Sequence, residues 1–158
     1  MTAFQAALDA LATLSVAGVA HHYGVDAVPE RLTRAQLPAL LVLPGELHDR
    51  RLFKERGSAF EAITFGGTGL ATLTVTDLLL VAPRAAGLGM RSHLPGLIGL
   101  IDAYLAALRA DVTLGGTLAQ PAQVAVEPGI FTHGGRAYHG CALRHTWTLA
   151  IAPVVPEG

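Results

Sequence analysis

The sequence predicts an α+β domain, a mostly antiparallel sheet with two helices packed on one face. Three patterns carry that expectation. Phe4, Ala7, Leu8, Leu11 and Leu14 recur at helical spacing near the N-terminus. Leu97, Ile98, Ile101, Tyr104, Leu105 and Leu108 form a second, longer helical stripe. Toward the C-terminus Leu143, His145, Trp147, Leu149 and Ile151 alternate with Arg144, Thr146 and Thr148, the period-two signature of a strand with two unlike faces.

Taken in order, Thr2 can cap the first helix, which the pattern ends near Ser15. Residues 19–28 read as a loop or short strand around His21, His22 and Tyr23. If they are extended, the two histidines point to opposite faces and do not share a site. An apolar run bracketed by Pro38 and Pro44 predicts a brief strand. Residues 60–65 and 71–81 are the next strands, and Thr72, Thr74 and Thr76 alternate with Leu73 and Val75 in the second. Asp77 breaks that alternation ahead of a wholly apolar 78–81, which predicts a bulge there or a strand end buried on both faces. The second helix is expected to open at Ser92 or His93 with Pro95 in its first turn, and to end before Gly115 and Gly116. Strands over 124–131 and 136–151 close the chain as a hairpin around Gly134 and Gly135. The second helix should then press Ile101, Leu105 and Leu108 onto the sheet face bearing Trp147 and Leu149.

The 158 residues suit one domain over 1–158. Charged residues make up 15% of the chain, low against about 25% for an ordinary soluble domain. With few charges to cover the surface, part of it is expected to be buried against a partner. Four of the 11 basic residues, Arg50, Arg51, Lys54 and Arg56, fall within seven positions of a charged stretch over 46–58. Such a run is a solvated loop or a polar docking element, and these four are the candidate interface residues. A net charge of −1 gives no general footprint for nucleic acid or an anionic membrane. No apolar run of about 20 residues is present, and the N-terminus lacks the pattern of a signal peptide, so synthesis and folding in a cytoplasm are expected.

Catalytic and metal motifs are missing. The single cysteine, Cys141, excludes an internal disulfide and a thiolate cluster, and its strand context predicts a small buried hydrophobe. The seven histidines show no HExxH-like spacing, so neither metal nor cofactor is expected. His145, on the apolar face of its strand, reads as a satisfied core residue. Ser15, Ser58 and Ser92 lack a nucleophile-elbow context. Gly66-Gly67-Thr68-Gly69 has no following Lys and leads into a strand, so it reads as a turn.

Several phrases together resemble one family. They are Asp102-Ala103-Tyr104-Leu105, Thr113-Leu114-Gly115-Gly116-Thr117-Leu118, Val124-Ala125-Val126-Glu127-Pro128-Gly129, and the final strand from Tyr138 to Leu149 with its His145-Thr146-Trp147 centre. Over roughly residues 3–152 the chain resembles the tail terminator proteins of long-tailed phages and gene-transfer particles. The resemblance implies a structural, non-enzymatic virion protein. It implies a homo-oligomeric ring, a hexamer, that caps the tail tube, ends its polymerisation and offers a surface for head joining. Its implied partners are other copies of itself, the major tail tube protein and a head-completion or neck protein, with genome DNA passing through the ring unread. Its implied place is the neck end of the virion tail, without a membrane. The 50–56 stretch falls where that family carries an extended hairpin or loop between its early strands. The alternatives are a related neck or tail-completion protein, or a small-molecule-binding or enzymatic α+β domain with His133, Tyr138 and His139 as its polar residues.

Overall fold

The computed structural model describes residues 3–44, 61–64, 69–84 and 90–151. Helix α1 spans Ala3–Ala12 and helix α2 Met90–Arg109. The strands are β1 (His21–Tyr23), β2 (Ala39–Pro44), β3 (Glu61–Thr64), β4 (Gly69–Pro83), β5 (Gln123–His133) and β6 (Arg136–Ile151). They form one sheet in the order β1-β2-β4-β6-β5, with β3 also on β4. Every pairing is antiparallel except β1 with β2. The architecture is α+β, as the sequence patterns predict.

Strands β2 and β3 lie in line along the same edge of β4. Pro44 stands opposite Val75, and Glu61 opposite Leu73. The chain therefore leaves and rejoins that edge two register positions apart. The four basic residues Arg50, Arg51, Lys54 and Arg56 fall in between and lie outside the described residues.

Both helices cover one face of the sheet. Ala7 and Leu11 of α1 and Leu97, Tyr104 and Leu108 of α2 are buried against Leu40, Val75, Leu79, Leu143, Trp147 and Leu149. Ile101 and Leu105 pack partly buried on the same cluster. The Phe4 ring meets Trp147 edge-on at 6.5 Å. Ile98, expected in the buried stripe, is instead 50% exposed. At 100° per residue it sits a quarter-turn round from Leu97, on the flank away from Leu100, and Leu100 lies over Gly18.

Among the described residues the opposite face is covered at one end. A parallel neighbour demands a crossover, and residues 24–38 supply it between β1 and β2. Val28, Leu32 and Leu37 of this segment lie on Leu41, Leu78, Leu80 and Tyr138. His133 Nε2 is 2.7 Å from the Pro29 carbonyl, and Gly134 passes so close to the Glu30 carbonyl that any Cβ would clash with it. The apolar end of β4 is thus buried on both faces, one of the two readings offered for Asp77. The other is corrected: Asp77 pairs in register with both Val42 and Leu143, and the irregularity falls between Leu80 and Ala82.

Helix α2 starts at Met90, earlier than the expected Ser92 or His93, so Pro95 lies inside the helix. Leu114, Gly115 and Gly116 all have positive φ, as do Gly134 and Gly135 in the hairpin turn. The left-handed backbone favours glycine at these turns. No helix among the described residues is long and apolar enough to cross a membrane.

Candidate functional site

A polar cluster lies inside the helix-covered core, and its members arrive on four different elements. Asp77 projects from β4 between Val75 and Leu79, and His145 and Trp147 project from β6. Tyr104 descends from the middle of α2, and His22 enters from β1. Asp77, Tyr104, His145 and Trp147 are all 0% exposed.

The donor and acceptor capacities order the protons in this cluster. The Trp147 indole N–H can only donate, and it reaches His145 Nδ1 at 3.1 Å. A neutral His145 therefore carries its proton on Nε2, which lies 2.6 Å from Tyr104 Oη. The Tyr104 hydroxyl in turn donates to Asp77 Oδ2 at 2.9 Å. On the far side His22 Nδ1 is 3.0 Å from the Leu14 carbonyl, which can only accept. His22 Nε2 stands 2.8 Å from Asp77 Oδ2, an ion-pair contact. A ring that donates at Nδ1 and faces a carboxylate at Nε2 is held as the imidazolium.

The electrostatics agree with this ordering. Burial opposes charge on His22, but Asp77 and the Leu14 carbonyl outweigh it and its pKa is raised. Burial pushes His145 down to about 4; the Asp77 charge works against this and His22 reinforces it. Burial, then Asp77, holds the Tyr104 hydroxyl well above its ordinary value. The surroundings thus favour the charged form of His22 and disfavour that of His145. The cluster clamps α2, β1, β4, β6 and the chain after α1 together. Its members Asp77, Tyr104, His145 and Trp147 are sealed from solvent among the described residues. Asp77 Oδ1 has no hydrogen-bond partner among the described residues.

A second histidine pair lies elsewhere on the same sheet face. The rings of His93, from the start of α2, and His139, from β6, stand 4.8 Å apart with a 30° tilt. His139 is 1% exposed. Neither its ring nitrogens nor His93 Nε2 has a hydrogen-bond partner among the described residues. Nothing in the sequence spacing links these two, 46 positions apart, and only the docking of α2 on β6 joins them.

The triplet proposed for an enzymatic reading does not converge. Tyr138 faces the crossover while His139 faces the helices, and His133 is tied to the Pro29 carbonyl. Burial raises Cys141 to about 11, so it stays a thiol, as its strand context predicts. Ser15 and Ser92 are exposed, and Ser58 lies outside the described residues. His21 and His22 do face opposite ways: His21 stacks on Tyr23 at 5.4 Å while His22 enters the core. Among the described residues no three His, Cys, Asp or Glu side chains gather at metal-binding range.

On the surface, Leu94 and Ile98 of α2 and Val126 and Ile130 of β5 are exposed at 39, 50, 37 and 45%. No protein-family model matches the chain, and no curated protein matches it in sequence.

Proposed function

We propose that this chain is a structural, non-catalytic component of a phage-like tail. In this reading it is a terminator that forms a ring, a hexamer, on the end of the tail tube, stops its growth and presents a surface for head joining. The sequence resemblance is the starting point, and the element order supports it: a first helix, a strand at 39–44, a β-hairpin, a second helix, a Leu-Gly-Gly turn and a closing hairpin.

The observation that carries the reading is the outer edge of β5. This strand of 11 residues ends the sheet and has no further strand beside it among the described residues. Val126 and Ile130 lie exposed along it. A long edge with apolar side chains invites pairing with another chain, and ring assembly covers such edges. The sealed polar cluster supports a structural role over a catalytic one.

Purified protein mixed with tubes of the matching tail tube protein tests the proposal. Six-fold rings seated at tube ends by electron microscopy, with tubes that stop lengthening, are expected. A monomer at every concentration that leaves tube growth unchanged would overturn it.

A further inference from the structure

We infer that His93 and His139 form a binding site for a divalent transition-metal ion of the zinc class, bridging the first turns of α2 to strand β6. The inference stands on the chemistry of the two rings and not on the tail reading. A buried polar atom without a partner is costly, and native proteins seldom tolerate such atoms without a reason. Here His93 Nε2, His139 Nδ1 and His139 Nε2 are all buried without a hydrogen-bond partner among the described residues. They sit on two rings in direct contact.

The spacing suits one shared ion. A metal held by a ring nitrogen at about 2.0–2.1 Å stands about 3.2 Å from that ring's centre. Two rings at square or tetrahedral angles then have centres about 4.5–5.2 Å apart. The observed separation is 4.8 Å. The metal takes one nitrogen from each ring and leaves one on His139.

Imidazole is a ligand for zinc, copper and nickel, whereas magnesium and calcium select oxygen. Two protein ligands leave the remaining positions to water or to an incoming group. The affinity expected is therefore micromolar, not that of a closed four-ligand site. Bound metal would pin α2 to β6 at the end of the helix opposite Leu108.

Calorimetric titration of Zn²⁺ into the full chain, produced without a polyhistidine tag and stripped with chelator, tests the site. One zinc per chain is expected in the unaltered protein. Affinity should fall at least tenfold in His93→Gln and in His139→Gln, and stay unchanged in His21→Gln, whose ring lies on the outer surface. Circular dichroism without metal identifies any variant that fails to fold. As a second measurement, NMR of the unaltered protein should show the ring protons of His93 and His139 shifting together on zinc addition. Absence of zinc uptake at millimolar metal, uptake that survives both substitutions, or zinc-induced shifts confined to other histidines would each overturn the inference.

Discussion

Tyr104 donates its hydroxyl hydrogen bond to Asp77 Oδ2 across 2.9 Å, and this one bond joins the middle of α2 to the middle of β4. The carboxylate also neutralises His22, and the same hydroxyl accepts from His145. Removing one partner of a buried ion pair strands the other, at a cost of about 3–5 kcal/mol. Asp77→Ala is therefore expected to lose about that much by chemical denaturation. Tyr104→Phe keeps the packing and loses only the hydroxyl, so about 1–3 kcal/mol is expected. Equal losses from the two substitutions would show that the ion pair adds nothing beyond the hydrogen bonds.

Stability should pass through a maximum with pH, because His22 and His145 titrate with opposite signs. The folded pKa of His145 is depressed to about 4 from 6.5. Between those values the unfolded chain binds the proton more tightly, so stability falls as pH drops below 6.5 toward 4, by about 3 kcal/mol at most. His22 is raised, so its contribution is complete below 6.5 and is lost as pH climbs through its folded value. Denaturation midpoints across pH 4–9 measure both limbs. His145→Gln should flatten the acid limb and His22→Gln the alkaline one, each leaving the other limb in place.

Leu97 and Ile98 are neighbours in sequence with opposite surroundings, 0% and 50% exposed. Leu97→Ala should cost about 2–5 kcal/mol as a core truncation. Ile98→Ala should stay within about 0.5 kcal/mol, as surface changes do. Ile101→Ala, partly buried, should fall between them. A large loss from Ile98→Ala in the isolated chain would show that this flank of α2 is covered.

The α2 stripe and the closing strand were legible because their periods, 3.6 and 2, repeat long enough to be read. Ile98 was misassigned because periodicity gives a sector of the helix, and the width of the sector that is covered depends on what packs beside it. The crossover over residues 24–38 gave no such signal. Val28, Leu32 and Leu37 follow no regular period; Leu32 is buried and the other two partly buried because the parallel β1–β2 pairing routes them over Leu78 and Leu80. Asp77 carried a signal that fits either a bulge or a strand end buried on both faces, and neither reading names its partners. A charged residue within an apolar strand must find a partner, but its partners lie 27 positions ahead, at Tyr104, and 55 behind, at His22. The His93–His139 contact was equally invisible, since it depends on where the first turns of α2 land on β6.

The last prediction concerns Arg50, Arg51, Lys54 and Arg56, the densest charge in a chain with 15% charged residues. Pro44 and Glu61 flank them at adjacent places on the β4 edge, so β2 and β3 pair on either side of the interval. Substitutions within it should accordingly leave the sheet and its melting temperature nearly unchanged. If the four residues dock onto carboxylates of a neighbouring subunit or of the tail tube, their loss should appear only in assembly. Exposed ion pairs contribute roughly 0–1 kcal/mol each, so a single change to Ser should do little. The fourfold change to Ser should slow or abolish ring or tail assembly, because interface charges act together on encounter and register. Light scattering of the purified variant and electron microscopy of tails made with it measure the effect. Normal-length, head-joined tails from the fourfold variant would return these residues to an ordinary solvated loop.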